Sequence, residues 1–133
     1  MSFIDSNVFV YHLAADPIYG TKAKSLLEKI EGGERSVTST LVITQVCSYL
    51  KWKGRQNVIP LFLSLLKRLT SLEKIETHML DFEEAKAIQL ELKLSWSMWD
   101  DIVIAAQMKR LNLRAIYSND NDFDKIPWIK RTF

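Results

Sequence analysis

Five aspartates stand where their chemistry would be wasted unless something used it. Asp5 follows the apolar residues Phe3 and Ile4. Asp100 and Asp101 head the apolar run IVIAA. Asp120 and Asp122 follow the stretch RAIYS. A carboxylate carried toward a core is costly unless it is paired, hydrogen-bonded or holding a metal. Carboxylates gathered in one place repel one another unless a divalent cation neutralises them, and an all-oxygen site suits Mg²⁺ or Mn²⁺. Such a cation can activate water and stabilise the charge that develops on a phosphodiester. Metal-assisted hydrolysis is therefore the chemistry these residues could carry.

The elements that must position them alternate. Residues 3–11 begin as a short apolar strand that reaches Asp5 at once. Asp16-Pro17 signals a turn or helix start, and a helix through Ala23, Leu26, Leu27 and Ile30 runs to Gly32-Gly33. Residues 35–38 can form a strand. Ser39 or Thr40 then opens a helix carrying Leu41, Ile43, Val46, Tyr49 and Leu50, ended by Gly54, and residues 57–69 form a further apolar helix. Residues 72–77 read as a strand. Asp81 caps the next helix, with Glu83 and Glu84 in its first turn, where they suit the helix dipole. Ser97 starts the helix of the Asp100-Asp101 pair, 114–118 is a strand, and 128–133 can be a last one. Strands alternating with helices predict an α/β fold: a parallel sheet covered by helices on both faces. In such sheets sites form at the carboxyl ends of the strands. The acids fall near strand ends or helix starts, so the fold can bring them to one edge.

Each acid also has an ordinary structural role open to it. Asp5 could cap a helix opening at Ser6 or Asn7. Asp120 and Asp122 could be turn residues that bond their own backbone. Ser97 with Asp100 three residues later resembles a capping box, with Asp in place of the usual Glu. Asp101 has no such role. It shares a helical face with Ile104, Ala105 and Met108, the face expected to be buried. Neighbours on a helix point about 100° apart, so Asp101 is expected inward and Asp100 as its capping neighbour.

The bulk composition narrows the field. The chain has 133 residues, 47% hydrophobic and 26% charged, which suits one soluble domain, residues 1–133, with a real core. No apolar run approaches the roughly 20 residues of a membrane span. The start, MSFIDSN, has no signal-peptide pattern, and a single cysteine, Cys47, permits no internal disulfide, so a cytoplasmic setting is expected. A net charge of +2 permits a nucleic-acid partner without arguing for one. His12 and His78 have no partner spacing for a metal pair or a nucleophile, and neither a P-loop glycine pattern nor a DxD motif after the first strand is present.

Four stretches together carry a resemblance: FIDSNVFVY at the start, TSTLVITQV in the second helix region, WDDIVIAA, and IYSNDNDFD near the end. Their order, spacing and the chain length resemble the PIN domain, the small metal-dependent ribonuclease fold of VapC-type toxins. The resemblance covers the whole chain. It implies a three-layer α/β/α sandwich with a central parallel five-stranded sheet, and a cluster of acids that holds Mg²⁺ or Mn²⁺ for hydrolysis of RNA. Asp5 matches the first acid, Asp101 the third and Asp120 the fourth. Asp100 is kept as a further metal ligand, and Asn7, Ser118 and Asp122 as supporting residues. The second acid is usually Glu, and the matching position holds Gln45. Gln offers a neutral carbonyl oxygen, removes one negative charge and cannot act as a general base. The main expectation is thus an endoribonuclease of a VapBC-type toxin–antitoxin pair. The alternative is a non-catalytic PIN-like module that binds RNA or protein.

The resemblance also implies an RNA substrate, an antitoxin protein and a homodimer. Lys51, Lys53 and Arg55, and Lys109, Arg110 and Arg114, are candidate phosphate contacts, although charge clusters are commonly just solvated faces. Trp52, Trp96 and Trp99 could stack on bases or pack in the core. The helix VIPLFLSLL is apolar enough to cover a partner surface as well as the core.

Overall fold

The computed structural model describes residues 1–133. Five short strands, β1 (Ser2–Ile4), β2 (Ser36–Ser39), β3 (Leu72–Ile75), β4 (Ala115–Tyr117) and β5 (Lys130–Thr132), form one sheet in the order β3-β2-β1-β4-β5. Every neighbouring pair is parallel, with Phe3 opposite Val37 on one side and Ile116 on the other. Six helices connect them: α1 (Ser6–Leu13), α2 (Gly20–Glu31), α3 (Thr40–Trp52), α4 (Ile59–Arg68), α5 (Met79–Leu92) and α6 (Trp99–Arg110). This is the expected α/β architecture with a central five-stranded parallel sheet.

Connection handedness sets the layers. The chain steps from β1 to β2 to β3 in one direction and then jumps back past β1 to β4. Right-handed crossovers therefore put α1 to α4 on one face and α5 and α6 on the other. The contacts agree: α1 packs on α2 and α3, while α5 packs on α6. The sheet interior and both helix layers share one core of 33 buried apolar residues. Phe9 of α1 meets Phe62 of α4 edge to face, with ring centroids 5.4 Å apart, a favourable aromatic geometry. Strand order reverses between β1 and β4, so the crevice beyond their carboxyl ends is the natural binding edge.

Several element boundaries differ from the sequence reading, each for a local reason. Residues 6–13 are helix α1, not a continuation of the strand. Val8 and Val10 are β-branched and favour an extended reading, but the Asp5 cap and burial of Val8 and Phe9 decide for helix. Ser97 does not cap α6, and the Ser97–Asp100 box is not formed. Instead Ser95 accepts the Ser97 N–H at 3.2 Å, which opens a 3-10 turn over Trp96–Met98, and α6 begins at Trp99. Asp81 is the third residue of α5 and reaches back to the His78 N–H at 2.8 Å rather than capping from outside. The helix expected over 57–69 is divided between a 3-10 turn, Gln56–Val58, and α4, with Pro60 in the first turn, where its missing N–H costs nothing.

Candidate active site

β1 passes directly into α1 at Asp5, with no loop between them. The Asp5 N–H donates to the Tyr117 carbonyl at 3.1 Å and so extends the β1–β4 ladder. Its carboxylate accepts the Ser6 N–H at 2.7 Å and caps α1. The capping role and the site role are thus compatible in one buried side chain. The other carboxylate oxygen, Oδ2, accepts the Ser118 hydroxyl at 2.6 Å and the Asn7 amide at 3.3 Å. Burial pushes the Asp5 carboxyl above its ordinary pKa, against the pull of the Ser118 and Ser6 bonds, and the Asp120 charge adds to the rise.

Ser118 immediately follows β4 and is buried. Besides donating to Asp5, its oxygen accepts the Asp120 N–H at 3.0 Å and the Asn7 amide at 3.2 Å. Asn7 in turn accepts the Asn119 N–H at 3.2 Å. Asp120 opens a 3-10 turn, Asn121–Lys125, by accepting the Asp122 N–H at 3.0 Å. One residue after another, the loop beyond β4 is fixed to the β1–α1 junction, and Asp120 and Asp122 are held facing α6.

Asp101 completes the group. It is the third residue of α6, where the helix dipole favours an acid. Asp101, Asp120 and Asp122 each offer a carboxylate oxygen within 4.8 Å of the other two. Asp5 is linked to this trio through Ser118. Burial, and then the charges of Asp120 and Asp5, push the Asp101 carboxyl up to about 9. None of Asp5, Asp101 or Asp120 has a lysine or arginine ion partner, whereas Asp122 is paired with Lys125 at 3.1 Å. Converging acids that the protein does not neutralise are a donor set for a hard divalent cation, and the residues present fit such a group.

Asp100 stands apart from the trio. Its side chain is exposed and accepts the Gln45 amide at 3.0 Å, and like Asp5 it is not among the three carboxylates that meet within 4.8 Å. Gln45 keeps its carbonyl oxygen shielded from water and without a donor.

The basic residues divide differently from expectation. Arg110 is committed to Asp81 through two bonds, at 2.8 and 3.0 Å, and Lys109 to Glu84. Neither is a free phosphate contact. Arg114 precedes β4, Lys51 is in the last turn of α3, and Lys53 and Arg55 follow it, so all four lie toward the edge opposite the acids. Lys53 lies 4.7 Å from the exposed Trp52 ring. Trp96 is exposed and Trp99 is partly buried against the core. Sequence reading missed Lys22 and Lys29. They line a cavity of about 220 Å³ with Tyr117 and Thr132, beside the carboxyl ends of β4 and β5. It also missed Tyr11, whose hydroxyl accepts the Asn119 amide at 3.0 Å, and Arg131, which donates to the Ser118 carbonyl at 3.3 Å. Pairing across distant segments leaves no local signal.

His12 is partly buried in α1, and burial pulls its imidazole pKa down. His78 is exposed before α5. Cys47 is half-buried, and burial pushes its thiol up, away from the reactive thiolate.

The Ser118 bonds give a first expected result. Ser118→Ala removes the donor that favours the charged form of Asp5 and frees the loop carrying Asp120. Divalent-cation affinity is expected to fall about tenfold or more, the scale for loss of an orienting partner. Mn²⁺ titration of the two proteins measures it, and equal affinities would assign the hydroxyl a packing role only.

The PIN domain model matches residues 2–129. Among solved structures, the chain is similar to the toxin VapC20 of Mycobacterium tuberculosis, described as cleaving the sarcin-ricin loop, with a TM-score of 0.79, 15% identity and 97% of both chains covered. It is similar to VapBC2 of Rickettsia felis, bound to a DNA fragment from its promoter, with a TM-score of 0.73, 17% identity and 98% and 96% coverage. A toxin–antitoxin complex from Klebsiella pneumoniae matches with a TM-score of 0.66, 19% identity and 98% and 96% coverage. Comparison with curated proteins yields no match.

Proposed function

The chain belongs to the PIN domain family, and from that premise we propose that it is a metal-dependent endoribonuclease, the toxin of a VapBC-type toxin–antitoxin pair. The observation that carries this reading is the convergence of Asp101, Asp120 and Asp122 at the carboxyl edge of the sheet, joined to Asp5 through Ser118, with Asp5, Asp101 and Asp120 lacking any cationic partner.

Asp5, Asp101 and Asp120 hold Mg²⁺ or Mn²⁺ in this reading, and Asp122 supports them. When bound, the cation supplies a polarised water and neutralises charge on the phosphate. The chain does the rest. Ser118 donates to Asp5 and favours its charged form. Asn7 and the Asp120 N–H lock Ser118 in place. The dipole of α6 favours an acid at Asp101. In this reading Lys29, which has no acidic partner in the structure, holds a neighbouring phosphate of the RNA by a contact that carries no sequence information, while Lys22 is engaged by the Phe133 carbonyl at 2.7 Å.

Two of the similar structures are a VapBC protein and a toxin–antitoxin complex, which supports an antitoxin as partner here. Leu61 and Leu63 of α4 are 65% and 44% exposed, so this helix has apolar surface to spare for an antitoxin or for a second copy of the chain. No helix is long and apolar enough to cross a membrane.

A panel of labelled RNAs, incubated with the protein in Mg²⁺, in Mn²⁺ and in EDTA, tests the assignment. Cleavage in the metals, none in EDTA and none by folded Asp120→Asn is the expected result. Silence of the wild type across the panel, with RNA or antitoxin still bound, would move the assignment to a non-catalytic binding module.

A further inference from the structure

The loop that carries Asp120 and Asp122 is held against repulsion. Its two acids bring carboxylate oxygens within 4.8 Å of each other and of Asp101, and like charges at that range push apart. Burial of Phe123 anchors the loop in the core, but apolar burial is non-directional. It fixes where the loop lies, not which way its side chains point. A planar, directional contact can do that, and β5 supplies one. The Arg131 guanidinium donates from Nε and Nη2 to the two carboxylate oxygens of Asp124, at 3.0 and 2.9 Å. From Nη1 it donates to the Ser118 carbonyl at 3.3 Å. Ser118 and Asp124 bracket Asp120 and Asp122, so one side chain grips both ends of the loop. The fixed fork of donors makes such a grip specific to arginine. The Ser118 N–H also donates to the Thr132 carbonyl at 3.0 Å, so β5 holds Ser118 twice. The Ser118 hydroxyl in turn holds Asp5 and the Asp120 N–H. Arg131 lies beyond residues 2–129, the part of the chain that the PIN domain model matches.

We propose that Arg131 is a positioning residue for the cation centre: its clamp on Ser118 and Asp124 sets the aim of Asp120 and Asp122. Asp124 is the other half of the clamp, and neither residue is a ligand. This rests on the cation-site reading above and adds to it the device that orients the loop. The sign of the effect separates a clamp from a plain charge. A positive charge near the site repels a divalent cation, so if charge were all that Arg131 contributed, removing it would tighten cation binding. Loss of a clamp weakens it.

Mn²⁺ affinity of the metal-free protein, measured by calorimetry, is the test. Arg131→Met, Arg131→Lys, Asp124→Ala and the combination of Arg131→Met with Asp124→Ala are compared with the wild type. The pair is partly exposed, with 21% of the Arg131 side chain and 54% of Asp124 accessible, and methionine keeps an apolar stem. Melting curves near the wild type are therefore expected. Arg131→Met should weaken Mn²⁺ binding about tenfold, the scale for loss of an orienting partner. Arg131→Lys keeps the charge but lacks the fork, and should lose nearly as much. Asp124→Ala leaves only the Ser118 bond and should lose several-fold. The combined variant should match Arg131→Met, because Asp124 acts only through Arg131. It leaves neither charge unpaired, so it carries the test if Arg131→Met alone does not fold. A pure charge effect gives a different pattern: tighter binding by Arg131→Met, weaker by Asp124→Ala, and wild-type affinity in the combination. That pattern, or full retention of affinity by Arg131→Lys, would overturn the proposal. Absence of Mn²⁺ binding by the wild type would instead remove the cation-site reading itself, and the proposal with it.

Discussion

Asp101→Asn is expected to abolish RNA cleavage and, in the metal-free protein, to raise stability. The two effects have one cause. Asp101 faces Asp120 and Asp122 within 4.8 Å, and its carboxyl is pushed up to about 9 by burial and then by the Asp120 and Asp5 charges. In an unfolded chain the same group titrates near 3.9. The folded protein therefore holds an extra proton between those two values, and metal-free stability falls as pH rises through that window. Above about 9 the cost is complete. An asparagine cannot ionise, so the variant loses this slope. At neutral pH it should be more stable by about 1–2 kcal/mol, within the range of favourable single substitutions, which is several degrees in Tm for a domain of this size. Added Mn²⁺ should reverse the order, because only the wild type gains from binding it. Activity should fall by a factor of about 10³ or more, roughly 4 kcal/mol of transition-state stabilisation. Melting curves with and without Mn²⁺ check the stability half. A variant less stable than the wild type in EDTA at pH 7 would mean that the acids are not strained against one another.

Arg110→Ala is expected to be the most destabilising surface substitution, at about 3 kcal/mol. Asp81 is 2% exposed, and the Arg110 guanidinium holds it at 2.8 and 3.0 Å while also reaching the Glu76 carbonyl at 3.2 Å. These bonds tie the start of α5 to the end of α6. Removing one member of a buried pair leaves an uncompensated charge, which costs roughly 3–5 kcal/mol. The pH dependence gives the signature. Burial alone would raise the Asp81 carboxyl, but the Arg110 bonds and the His78 N–H outweigh it and hold it below the usual carboxylate range. A depressed acid stabilises fully above its unfolded pKa of about 3.9, and that share is lost as pH falls through the lower folded value. In Arg110→Ala only burial and the His78 bond remain, so the carboxyl moves upward and the variant should gain stability on mild acidification. Denaturant melts at pH 7 and pH 5 separate the two behaviours. Equal slopes in both proteins would reduce the pair to a surface contact.

The fold was legible because its signals are local and repeated. Apolar runs such as Ile116 with its neighbours alternate with helical stripes such as Ala23, Leu26, Leu27 and Ile30, and parallel topology follows from that alternation. The inward face of Asp101 was legible for the same reason, as helical periodicity places it with Ile104, Ala105 and Met108. Boundaries set by competition were less so. Ser95 and Ser97 are chemically equivalent caps, and only the 3-10 turn between Trp96 and Met98 decides between them. Asp5 illustrates a false choice: helix cap and site acid are one side chain, because strand and helix abut there with no loop. Arg110 was misread because its partner, Asp81, lies 29 residues away in sequence. The Gln45–Asp100 bond spans 55 residues, and neither residue type announces it.

The central claim is that the converging acids work through a cation. The most direct measurement follows one cleavable RNA with protein stripped by EDTA, then with Mn²⁺ restored in steps, and maps the ends of the products. No cutting without metal, recovery with it, and products ending in a 3′-hydroxyl and a 5′-phosphate are predicted, since water is the attacking group. Cutting that persists in EDTA, or products ending in a 2′,3′-cyclic phosphate, would mean that the RNA's own 2′-hydroxyl attacks and that the carboxylates are not the catalytic centre.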